Sequence, residues 1–147
     1  MYKHILLAMD LADEEKAVEA RVIKLHQLTQ AKLSLIHVIE PMPPIYMGDV
    51  SSASIGYDYF EVDWQKQARE MLKPVAQHLK IPTANIATPE GGVSREILNY
   101  AKDNDVDLIV VGSHGRHGLQ LLLGSTANAV LHHAHCDVLT VRISDES

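Results

Sequence analysis

The stretch GSHGRHGLQLLLGST, Gly112 to Thr126, sets glycines at 112, 115, 118 and 124 among His114, Arg116, His117, Ser125 and Thr126. Glycine admits torsions that other residues resist and lets a ligand approach the main chain closely. The free N–H groups and positive dipole end at the start of a helix attract an anion. Two such turns facing one cleft, Gly112 to Gly115 and Gly124 to Thr126, can wrap a polyphosphate. Ser125 and Thr126 would add hydroxyl donors and Arg116 countercharge, with His114 inside the first turn. Asp10 would repel phosphate, so it suits the hydroxyls of a ribose, as acids do in dinucleotide folds. An adenine needs an apolar slot with backbone partners, and Val38 at the end of a second strand offers both. A magnesium or manganese ion bridging the phosphates is compatible with this arrangement, with no side chain assigned to it.

The same residues admit plainer roles. Gly112 can simply end a strand, Ser125 with Asn128 can cap a helix, Asp10 can close a turn, and Arg116 can be a solvated loop charge. Other chemistries find less support. No lysine follows Gly124, and no G-x-G-x-x-G follows the first apolar run, which excludes a Walker loop and the usual dehydrogenase fingerprint. No carboxylate pair, Ser-His-Asp order or G-x-S-x-G elbow stands out, and no base is placed to activate water. Binding is expected rather than turnover. The chain has nine histidines, densest at His132-His133-Ala134-His135-Cys136. Neighbours on a helix point about 100° apart, so His132 and His133 do not share an ion readily, and in a last helical turn they can instead serve free carbonyls. No metal site is assigned. Cys136, the lone cysteine, has no internal disulfide partner and reads as a small apolar residue.

These loops need a scaffold, and hydrophobic patterning supplies one. Ile5 to Met9 is an unbroken apolar run closed by Asp10, the mark of a strand buried on both faces. From Asp13 the period changes, with Val18, Val22 and Leu25 on one helical stripe behind three acids. Leu33 to Ile39 is a second strand, interrupted only by Ser34 and His37, and His37 reads as a satisfied core or rim residue. Glu40 to Tyr57, rich in Pro, Gly and Ser, predicts a long loop. Ala68, Met71, Leu72, Val75 and Leu79 form the stripe of a second helix, and Pro82 follows its end. A weak strand at Asn85 to Thr88 leads through Pro89 to Gly92 into a helix with Val93, Ile97, Leu98 and Ala101. Leu108 to Val111 is a strand; Ala127, Val130, Leu131 and Ala134 mark a helix; Val138 to Ile143 is a last strand.

Alternating elements of this kind predict an α/β fold: a single-domain, open, five-stranded parallel sheet with helices on both faces, Rossmann-like, over residues 1–147. Ligands then sit outside the carboxyl ends of the strands, where strand order reverses. The loops beginning at Asp10, His37-Val38 and Gly112 meet there if the first strand lies between the second and the fourth. The chain is 46% hydrophobic, enough for one core, and its net charge of −6 with no Lys/Arg cluster argues against nucleic acid. No apolar run approaches the roughly 18 to 20 residues of a membrane span. A soluble, cytoplasmic protein is expected.

Asp10 after the apolar first strand, Leu35-Ile36-His37-Val38-Ile39, VGSHGRHGLQLLLGSTANAVL and the late VLTVR together resemble the universal stress protein family over essentially the whole chain. In that family, G-x-x-G, a spacer and G-Ser/Thr belong to the branch that binds ATP. The resemblance implies phosphate or ribose contacts at Gly112, Gly115, Gly124 and Ser125, ribose at Asp10 and adenine at Val38, with Ala8 and Met9 lining the pocket. It also implies a homodimer formed through Val138 to Ile143 and a role as a stress-response sensor or regulator. MYKHILLAMDL and IYMGDV resemble instead the A-type branch, which lacks the glycine motif and binds no ATP. The alternative is therefore a nucleotide-free dimeric interaction module.

Overall fold

In the computed structural model, which describes residues 1–9, 16–41, 63–112 and 125–142, the first apolar run is the centre of the molecule. Strand β1 (His4–Ala8) is buried along its whole length. Its four apolar side chains, Ile5 to Ala8, need cover on both faces, and two layers of helix supply it. On one side of β1 runs β2 (Lys32–Ile36), then β3 (Ile86–Ala87); on the other runs β4 (Leu108–Gly112), then β5 (Asp137–Val141). All neighbours are parallel, in the order β3-β2-β1-β4-β5. The register sets Leu7 beside Leu35 and Val110, and Leu35 beside Ile86.

Alternation along the strands divides the core in two. Ile5, Leu7, Met9, Leu33, Leu35 and Val110 face one side, under α1 (Lys16–Thr29) and α2 (Trp64–Leu79). Leu6, Ala8, Ile36, Ile109 and Val111 face the other, under α3 (Val93–Asp103) and α4 (Ser125–His133). The helices change face where the chain passes from β3 to β4. This is the doubly wound arrangement that right-handed crossovers impose.

The predicted elements stand, with several boundaries corrected. β2 ends at Ile36, and only Ile39 of the remaining apolar run returns to the sheet, in an isolated bridge to Glu90. The weak third strand starts as a 3₁₀ turn at Thr83–Asn85. The last strand ends at Val141 within the described residues; Ile143 lies outside them, as do Asp13 to Glu15 and most of the Glu40 to Tyr57 segment. Met71 and Leu131, read as core-facing, are 54% and 48% exposed. Each lies beside a fully buried neighbour, Leu72 and Val130, that takes the position over the sheet; an apolar stripe two residues wide fills only one of its columns. Pro74 stands inside α2 but on its exposed face, where water can solvate the Glu70 carbonyl that loses its N–H partner. That helix stops at Lys80 in a left-handed turn (φ 58°), with the Ile81 N–H closing back on the Ala76 carbonyl at 2.8 Å.

Candidate functional site

The carboxyl ends of β1 and β4 lie side by side, and the chain leaves them in opposite directions across the sheet. That is the switch-point crevice expected of the fold. The structure brings Ala8 and Met9 at the end of β1, Val38 just beyond β2 and Gly112 at the end of β4 to this one edge. Ala8, Met9 and Val38 are nearly buried, at 8%, 8% and 6% exposure. Gly112 is partly open and sits opposite Val141. Ser125 is exposed and Thr126 half-buried in the first turn of α4, where unsatisfied N–H groups concentrate. Asp10, His114, Gly115, Arg116 and Gly124 lie outside the described residues.

Backbone hydrogen bonding at this edge departs from the regular ladder. The Met9 N–H donates to the Ile36 carbonyl at 3.0 Å, so the Met9 carbonyl also faces β2. An uninterrupted parallel ladder would have that carbonyl accept from the N–H of Val38. Instead it accepts from Nδ1 of His37 at 2.9 Å. The His37 N–H goes the other way, to Ala87 O at 3.1 Å, and the Ile39 N–H to Pro89 O at 2.8 Å. Val38 is thus the residue whose N–H and C=O face the β1 side of β2, and among the described residues neither has a backbone partner. A buried amide costs free energy when nothing accepts its hydrogen, and Val38, 6% exposed, has no backbone acceptor among the described residues, a place that a ligand can fill.

Sequence reading took His37 as a satisfied core or rim residue but could not name its partner, which the register reveals. It also missed two devices at the opposite end of the sheet. His4, 6% exposed, places Nε2 at 2.7 Å from the Ser34 hydroxyl and donates from Nδ1 to the Asn104 carbonyl at 2.9 Å. Asp107 accepts from the N–H groups of Lys3 and His4 at 2.8 and 3.0 Å. Burial works against the Asp107 carboxylate, but these amides and the nearby His4 outweigh it and hold its pKa below the ordinary aspartate value. Nearby, burial and then the charges of Asp137 and Asp107 push the Cys136 thiol upward, away from reactivity. This agrees with its reading as a small apolar residue. Among the described residues no group of three or more His, Cys, Asp or Glu could hold a metal, and no helix is long and apolar enough to cross a membrane.

Comparison with known proteins decides the family. Residues 1–142 match the universal stress protein family. The chain belongs to that family. It is 41% identical to universal stress protein A homolog 1 of Coxiella burnetii over 140 residues, 95% of this chain and 96% of that one. Universal stress protein UspA from Lactobacillus plantarum has the same fold, with a TM-score of 0.73 at 24% identity over 96% of this chain and 98% of that one. So has a universal stress protein solved in complex with cAMP, with a TM-score of 0.69 at 20% identity over 97% and 98%. As in these relatives of the family, the sheet is the parallel α/β sheet that the sequence pattern predicts.

Proposed function

We propose that this universal stress protein binds an adenine nucleotide, ATP, at the carboxyl ends of β1, β2 and β4, and acts as a homodimeric sensor or regulator in the cytoplasmic stress response. The observation that carries the reading is the peptide edge of Val38. Adenine presents an acceptor at N1 beside a donor at N6, and a residue whose N–H and C=O face one crevice can serve both. Guanine presents the reverse pattern. Ala8 and Met9 would close the slot from the β1 side, and Asp10 would take the ribose. The inner phosphates would lie along Gly112 to Gly115, with Arg116 and His114 beside them, and the outer ones at Gly124, Ser125 and Thr126. A family relative was solved with cAMP, itself an adenine nucleotide, which supports the ligand class. Any magnesium or manganese ion would arrive on the phosphates of the nucleotide.

Calorimetric titration of the purified protein with ATP and with GTP tests this reading. ATP is expected to bind more tightly than about 1 mM, a standard free energy beyond roughly −4 kcal/mol, and better than GTP. Absence of such binding leaves the nucleotide-free module in its place. Ser125→Glu is expected to weaken ATP at least tenfold while leaving the thermal midpoint unchanged or raised. A carboxylate there repels phosphate yet suits the helix dipole, each effect being on the order of 1 kcal/mol.

The proposed dimer uses β5, the outer strand beyond β4, where Val138, Leu139 and Thr140 are only half-covered in one chain. An outer strand offers unpaired backbone to a second copy. Thr140→Pro is expected to give a mass of one chain by light scattering. A persistent mass of two would count against this interface.

A further inference from the structure

Why the ladder between β1 and β2 stops where it does has a specific answer in one side chain. After the Met9 N–H to Ile36 O bond, the next rung would join the Val38 N–H to the Met9 carbonyl, and the strands are already in register for it through Ala8 and Ile36. The imidazole of His37 occupies that carbonyl instead, at 2.9 Å. Because the partner is a carbonyl, Nδ1 must carry the proton. The ring is half-buried, and its own backbone N–H is tied to Ala87, so the residue is anchored to β3 while its side chain reaches across to β1.

We propose that His37 is a positioning residue of the nucleotide site: by taking the Met9 carbonyl, its ring keeps the Val38 N–H out of the sheet and available to the base. This rests on the reading that an adenine nucleotide binds here, and adds what makes the Val38 edge available. Two observations converge on it. The side-chain bond replaces a rung that the register would otherwise form, and the displaced amide belongs to a nearly buried residue with no backbone acceptor among the described residues. A sheet optimised for stability alone would form the rung and leave the ring to solvent.

The test uses His37→Ala and His37→Asn, followed by hydrogen exchange of the Val38 amide in the free protein and by ATP titration. Without the ring, the Met9 carbonyl is released, the rung closes, and the Val38 amide becomes protected. ATP affinity should fall about tenfold, the scale of one lost hydrogen bond, with ATP losing more than GTP. Asparagine places a side-chain N–H where Nδ1 stands, so it should restore both fast exchange and affinity. The inference is overturned if the Val38 amide is already protected in the unsubstituted protein, or if His37→Ala leaves exchange and ATP affinity unchanged. It also falls if asparagine fails to rescue although the variant folds. If the unsubstituted protein binds no adenine nucleotide at all, the functional reading fails, while the exchange comparison still decides whether the ring holds the rung open.

Discussion

Leu35→Ala will destabilise the fold by about 3 to 4 kcal/mol, lowering the thermal midpoint by roughly 10 °C. Leu35 is fully buried on the central part of β2, flanked by Leu7 on β1 and Ile86 on β3. It shares a cluster with Leu72 of α2 and with Val18 and Val22 of α1. Truncation removes the transfer energy of its side chain and leaves a cavity that a five-stranded sheet pinned on both sides closes poorly. Leu28 serves as the control, being 75% exposed, and Leu28→Ala should cost less than about 0.5 kcal/mol. Chemical denaturation of the two variants checks both values.

Asp107→Ala will cost about 2 to 3 kcal/mol at neutral pH, the scale of a charge-assisted hydrogen-bond pair, and much less in acid. The carboxylate clasps the two amides that enter β1, and the Asp107 N–H returns to the His4 carbonyl at 3.0 Å. Its removal leaves the His4 N–H, partly buried, without an acceptor. The direction with pH follows from the lowered pKa in the folded state. A carboxyl with a depressed folded pKa stabilises fully above its unfolded value near 3.9, and that stability is lost as pH falls through the folded pKa. The stability difference between the native protein and Asp107→Ala should therefore be flat from pH 5 to 7 and shrink below about pH 4. A difference that grows on acidification would show that the clasp is not ionised.

The sheet was legible in the sequence because its central strands carry almost nothing but burial. Ile5 to Met9 and Leu108 to Val111 are apolar on both faces, short and bounded by polar residues or glycine, the pattern of a strand between two helical layers. Helix existence was equally plain, but facing was not: Met71 and Leu131 lie next to the buried columns of their helices, and a periodic pattern cannot tell adjacent columns apart. The short third strand was weak because two residues carry no period, and pairing with β2 decides it. At the candidate site, residue chemistry singled out Val38 and Gly112 and the family resemblance added Ala8 and Met9; the register brings these four to one edge of the sheet. The role of His37 was hidden because it depends on a carbonyl 28 residues away. The Asp107 clasp was hidden for the same reason, its partners being 104 and 103 positions distant.

The proposed adenine-nucleotide site lies on the carboxyl ends of β1, β2 and β4. Amide resonances followed during titration with ATP test it most directly. Shifts are expected at Met9, Val38, Gly112 and Thr126, saturating together, with Lys3, Asp107 and Asp137 at the far end of the sheet unmoved. Saturable shifts confined to that far end, or no shifts at millimolar ATP, would contradict it.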